Sequence, residues 1–229
     1  MKRYNRIFTV SALFLGGLVY AKASPILLGS YATNALNPGV ANTATTYDPL
    51  TSTVDSGSTN TFDISPGTTW HAPIANSSYI SFNPATGPTT GLVVPNGNYV
   101  YNTSFTINPA DVASTGTLTV LADDTVAVFL NNSVILQSAG PMGPGNTYAQ
   151  CSDVGPNCIS PFTFTFTGLA EGLNQLTFQV KQVNGFNEGL DFSGSIADSS
   201  AVPEPFSLAL FGTGLLGLVG LSRRYFTTE

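Results

Sequence analysis

The chain has 229 residues, of which 42% are hydrophobic and only 9% charged, against about a quarter charged in an ordinary soluble domain. That is enough apolar material for a core, and it excludes a disordered acidic tail and a coiled coil. Between positions 25 and 202 one base, Lys181, faces eleven acids, a formal net charge of −10. Such a body repels phosphate backbones, which excludes nucleic-acid binding, and it lacks the cations for salt bridges to hold it together.

Residues 1–23 carry the three parts of a secretory signal. Lys2, Arg3 and Arg6 form the positive n-region, Ile7 to Tyr20 the apolar h-region, and Ala21 and Ala23 put small residues where a signal peptidase reads. Cleavage after Ala23 leaves Ser24 as the new N-terminus. The h-region has about 14 residues, short of the ~20 that a spanning helix needs, so a removed signal helix is expected rather than a retained anchor.

Residues 24–196 read as one all-β domain. Positions 26–60 are polar, Thr/Asn-rich and weakly patterned, and are expected to hold an edge strand and long loops. From Asn98 to Ile107, Tyr99, Tyr101, Thr103, Phe105 and Ile107 fall on one face of a strand. Thr117–Val120 is short and branched. Thr125–Leu130 and Ser133–Leu136 flank Asn131-Asn132, a tight hairpin turn because Asn tolerates positive φ. Phe162, Phe164 and Phe166 alternate with Thr163, Thr165 and Thr167. Gly172-Leu173-Asn174 turns into a strand bearing Leu176, Phe178 and Val180, and Leu190 to Ile196 forms the last strand. Many short strands with Gly/Pro/Asn turns predict a β-sandwich or jelly roll.

Pro141-Met142-Gly143-Pro144-Gly145 marks a long loop leading to Cys151. Cys151 and Cys158 are the only cysteines, with six residues between them in the exported body, which predicts a disulfide. So small a ring contributes no more than about 2–3 kcal/mol. A zinc site would need more ligands than Asp153 supplies.

Ala197 to Ala201 is a small, polar linker. Val202-Pro203-Glu204-Pro205 follows, where two prolines impose an extended segment of the kind a protease binds as a strand. Phe206 to Leu221 then runs sixteen residues without a charge, roughly 24 Å as a helix. A single transmembrane helix is expected over 206–222, slightly short for a ~30 Å hydrocarbon core but within tolerated mismatch. Arg223 and Arg224 form its cytoplasmic flank.

Val-Pro-Glu-Pro, an apolar helix and Arg-Arg together resemble the PEP-CTERM sorting signal of bacterial exported proteins, over positions 202–226. The resemblance implies cleavage by an exosortase-type membrane enzyme in exopolysaccharide-making bacteria, so that the helix anchors the chain only transiently. The body resembles the galactose-binding-like jelly rolls over roughly 70–196, through Trp70, Tyr79-Ile80, Gly97-Asn98-Tyr99 with Tyr101 and Phe105, Ala122-Asp123-Asp124, Leu130-Asn131, and Gly172-Leu173-Asn174 with Leu176 and Phe178. It departs from the usual pattern at Asn131-Asn132, where Asn-Gly is commoner. This resemblance implies sugar binding as one function among several, since fold does not fix function.

Few residues offer chemistry. His71 is the only histidine, and no Gly-x-Ser-x-Gly elbow accompanies it, so it reads as a strand-end residue rather than a triad member. Asp123 and Asp124 are adjacent, hence on opposite faces of a strand, and cannot flank a glycosidic bond together. Glu188 or Asp191 would have to approach one of them in space. The pair also reads as a turn that accepts backbone N–H bonds, or as calcium ligands in an acidic exported body. Trp70, Tyr79, Tyr99 and Tyr101 read either as a stacking surface for sugar rings or as core. The chain is thus expected to be a non-enzymatic surface or matrix protein associated with exopolysaccharide and needing no cofactor. The alternatives are a carbohydrate-binding module with a defined sugar site and a glycoside hydrolase.

Overall fold

The structure, a computed structural model, describes residues 25–30, 38–42, 44–109, 115–136, 161–183 and 185–197, the backbone at 21–22 and 201–202, and positions 212 and 214. The chain divides into a body, 24–200, and a terminal unit of 1–23 with 201–229. In the terminal unit two short strands, β1 (Ala21–Lys22) and β14 (Ala201–Val202), pair antiparallel. Gly212 and Gly214 are helical. The expected signal helix, most of the expected span at 206–222, and the Cys151–Cys158 disulfide lie outside the described residues. Among the described residues no helix is long and apolar enough to cross a membrane.

The body contains β2 (Ile26–Gly29), β3 (Ala41–Asn42), β4 (Thr46–Tyr47), β5 (Thr61–Asp63), β6 (Ile80–Ser81), β7 (Gly97–Ile107), β8 (Gly116–Asp123), β9 (Thr125–Leu130), β10 (Ser133–Leu136), β11 (Phe162–Phe166), β12 (Gly172–Gln182) and β13 (Gly189–Ile196). One sheet runs β10-β9-β12-β7-β4 and the other β11-β8-β13-β6-β5-β3, with β2 also paired to β13. From β7 onward the chain keeps changing sheets: β7 lies in the five-stranded sheet, β8 in the seven-stranded one, β9 and β10 in the first, β11 in the second, β12 in the first and β13 in the second. That winding, with every pair antiparallel, is a jelly roll.

Period-two patterning places the core. Tyr99, Tyr101, Phe105 and Ile107 of β7 turn inward together, as do Leu118, Val120 and Ala122 of β8 and Leu176, Phe178 and Val180 of β12. Across the interface Phe178 stacks on Phe192 with ring centroids 4.2 Å apart. The expected hairpin is formed: Asn131 and Asn132 have φ of 49° and 68°, the double positive φ that a type I′ turn requires. Its tip is tied to β12, because the Asn131 side chain accepts the Gln175 N–H at 2.9 Å and donates to Asn174 Oδ1 at 2.9 Å. Asn174 also holds the turn before β12 by donating to the carbonyls of Ala170 and Gly172.

A second, smaller apolar cluster lies on the outer side of the seven-stranded sheet. Leu121 of β8 meets Ile64, Trp70 and Tyr79 there, because the segment between β5 and β6 folds over that face. Close backbone approach matters in the same sheet. A Cβ on Gly194 of β13 would sit 2.3 Å from the carbonyl oxygen of Thr117 on β8. Gly194→Ala is therefore expected to cost about 1–3 kcal/mol, as overpacking does. Thermal unfolding checks this: the midpoint should drop by several degrees.

Candidate functional site

Three polar features stand out against this apolar frame. The first is internal. Glu188, at the entry to β13, is fully buried; its carboxyl accepts the Ser81 hydroxyl at 2.5 Å and lies 2.8 and 2.9 Å from the Tyr101 hydroxyl. Burial pushes Glu188 up to about 8, against the lowering effect of those two hydroxyls. Tyr101, Tyr47, Phe82 and Tyr99 form a continuous run of rings around it, with centroids 5.2–5.5 Å apart. The phenols of Tyr47 and Tyr99 reach loop carbonyls, Val54 and Pro95, each at 2.6 Å. Burial first, and the nearby Glu188 carboxylate among the further causes, raise the phenols of Tyr101 and Tyr99, and that of Tyr47 to about 12.

The second feature is the underside of the segment that crosses the seven-stranded sheet. Asp191 of β13 accepts the Ile74 N–H at 2.8 Å and the Ser30 hydroxyl at 3.1 Å, so it pins that segment to the sheet. Burial raises Asp191 to about 6 despite these bonds. Asp123 pairs with Gly189 and Leu121 with Asp191, so Asp123 and Asp191 share this face at a diagonal cross-strand spacing of about 7–8 Å. The approach in space that sequence left open therefore occurs, but both carboxyls are buried. No glycosidic bond can pass between them, and they are not placed for hydrolysis.

The third feature is open. A cavity of about 890 Å³ reaches from the outer face of the seven-stranded sheet round β2 to Thr103–Phe105 of β7. Its floor includes Thr117, Thr119, Ser193 and Ser195, its flank Leu27, and its wall Ile74, Ala75 and Asn76. Among the residues that line it there is no charged side chain, histidine or cysteine.

The sequence-derived candidates divide accordingly. Trp70, Tyr79, Tyr99 and Tyr101 are at most 5% exposed, so the sugar-stacking surface is corrected to core, since a ring with no open face cannot lie on a sugar. Period-two strands dictate this for Tyr99 and Tyr101, whereas Trp70 and Tyr79 belong to the crossing segment and are buried with Leu121 and Ile64 in the smaller cluster. Asp123 and Asp124, joined by a cis peptide, are buried, and Asp124 Oδ2 accepts the Val183 N–H at 2.6 Å. Among the described residues no group of three or more His, Cys, Asp or Glu side chains could hold a metal ion. His71 Nδ1 lies 2.5 Å from the Ala72 carbonyl oxygen. Sequence reasoning missed the Ser/Thr floor of the cavity. The alternation in 162–167 showed only the neighbouring edge strand, and which residues Thr163 and Thr165 stand beside depends on strand register.

The body is a two-sheet antiparallel jelly roll with an open groove that has no charged side chain among its described lining residues, followed in sequence by a C-terminal tail. That tail, residues 201–224, matches the PEP-CTERM protein-sorting motif, which marks an exported protein sorted to the cell surface. No curated protein matches the chain in sequence. Among solved structures, the chain is similar to CBM35 from Paenibacillus barcinonensis at 13% identity, covering 69% of this chain and 94% of that one with a TM-score of 0.33. It is similar to a family 35 carbohydrate binding module from Clostridium thermocellum at 8% identity, covering 76% and 98% with a TM-score of 0.31. A β-glucosidase from Kluyveromyces marxianus aligns at 10% identity over 73% of this chain and 19% of that one, with a TM-score of 0.30.

Proposed function

We propose that this is a non-enzymatic surface or matrix protein, delivered by its C-terminal signal and clipped near Val202-Pro203-Glu204-Pro205 by an exosortase-type enzyme. Its jelly-roll body then lies in or against the extracellular polysaccharide. The observation that carries the reading is the sorting motif at 201–224 directly after the β body. The buried state of Asp123, Asp191 and Glu188 supports a binding or structural role over hydrolysis, because a glycosidase needs two carboxyls open to substrate. The N-terminal signal is removed after Ala23, and the apolar run at 206–222 holds the chain in the membrane only until processing.

Mass analysis of the mature protein tests this in a strain that carries the processing enzyme. The expected product begins at Ser24 and ends near the Pro-Glu-Pro segment. A mature chain still ending at Glu229 would overturn the reading.

A further inference from the structure

The cavity floor, Thr117, Thr119, Ser193 and Ser195, continues onto the edge strand β11 as an ordered array on the outer face of the sheet. Strand register aligns Thr163 with Thr119 and Thr119 with Ser193; two residues along, it aligns Thr165 with Thr117 and Thr117 with Ser195. All six side chains share the outer face of the sheet, because the intervening residues Leu118, Val120, Phe166, Phe192 and Ile196 are the ones that enter the core. The strands that carry a row lie about 4.7–4.9 Å apart, and the rows stand about 7 Å apart. The Thr119 and Thr163 hydroxyls are 2.8 Å from each other. Beyond Ser195 the second row ends on Leu27, 74% exposed. The wall at Ile74–Asn76 is held upright by the Asp191 bond to the Ile74 N–H.

We infer that this hydroxyl array is the binding face for a neutral polysaccharide chain, a site that rests on the proposed association with extracellular polysaccharide. Each hydroxyl both donates and accepts, so two rows offer a repeating polymer the same contacts at each step. Leu27 and Ile74 supply apolar surface at the flank for the C–H face of a sugar ring. The volume, about 890 Å³, lies within the roughly 300–1,000 Å³ of ligand sites. Charge selects the class of polymer. The groove lining carries no charge, so a polyanion finds no cation to pair with and meets a body of net charge −10. A cationic partner finds no carboxylate in the groove.

The test is native gel electrophoresis of the full chain, isolated after export, in gels containing soluble β-glucan, galactan or the acidic polymer alginate. At least one neutral polymer should retard the chain and alginate should not. Thr119→Val with Ser193→Ala removes two hydroxyls from one row and should weaken the retardation about tenfold. Thr163→Glu, on an exposed position of the edge strand, adds a repelling charge and should weaken it too, even if the double variant fails to fold. If no polymer retards the wild-type chain, the polysaccharide association falls and this site with it. If a neutral polymer retards wild type and both folded variants alike, the array is not the site and the association stands. Retardation by alginate as strong as by the neutral polymers would overturn the assignment to a neutral chain.

Discussion

Replacing Glu188 by alanine is expected to destabilise the body by about 3–5 kcal/mol, whereas glutamine should cost about 1 kcal/mol. The carboxyl is the shared acceptor for Ser81 and Tyr101, and all three groups are buried. Alanine leaves two hydroxyls unbonded in a dry interior and opens a cavity beside the Tyr47–Phe82–Tyr99 rings. Glutamine keeps an acceptor oxygen in nearly the same volume. Chemical unfolding of the two variants separates the cases; an equally large loss for glutamine would mean that volume and one acceptor oxygen do not preserve the site and that the intact carboxyl is required.

The same residue sets the pH response. Glu188 rises from 4.5 to about 8 and Asp191 from 3.8 to about 6, both mainly through burial. A raised carboxyl binds its proton more tightly in the folded state than in the unfolded one. Its stabilising contribution is complete below the unfolded values, near pH 4, and is lost as pH rises through 6 and then 8. The body should therefore be most stable in mild acid and lose on the order of a few kcal/mol by pH 9. Glu188→Gln should remove most of the slope between pH 6 and 8 and leave the part due to Asp191. A stability profile that rises between pH 5 and 8 would refute this account of the buried carboxyls.

The legible and illegible parts of the fold differ in physical origin. Strands β7, β11, β12 and β13 could be read from sequence because one face of each enters a continuous core and the other does not, so the period of two is written into the chain; β9 and β10 were read from the turn that they flank. The Asn131-Asn132 turn was legible because only a few residues accept its backbone angles. The short strands β3 to β6 were not, because each pairs over two or three residues and carries too little pattern to stand out from loop. The burial of Glu188 and Asp191 was also hidden: an acid between Asn187 and Gly189, or between Leu190 and Phe192, says nothing of the hydroxyls that reach it from residues far away in the chain. The hydroxyl array has the same limit. Thr117, Thr119, Ser193 and Ser195 each alternate locally, but only the pairing of β8 with β13 makes rows of them. The aromatic residues misled for the opposite reason. Rings that suit sugars also suit cores, and here burial decided for the core.

Replacing both Pro203 and Pro205 by alanine is expected to abolish C-terminal processing while leaving export intact. The backbone is extended at Ala201–Val202 and helical at Gly212 and Gly214. Proline at 205 is compatible with the first turn of a helix, but it disfavours helical backbone at the residue before it, and Pro203 does the same to Val202. The pair therefore disfavours helical backbone at Val202 and Glu204, and an extended segment is the form a protease can pair with. With alanine at both positions nothing prevents the apolar helix from growing backward through Glu204, and a helical backbone has no free edge to offer. With the apolar run at 206–222 anchoring the chain as proposed, replacing Arg223 and Arg224 by alanine acts at the other end, by removing the charges that would stop the run at the cytoplasmic face; that variant should leave the membrane without being cut. Fractionation with mass analysis distinguishes the two, as membrane-bound full-length chain for the proline variant and released full-length chain for the arginine variant. Normal clipping of the proline variant would mean that the enzyme reads side chains alone, and the extended backbone would lose its role.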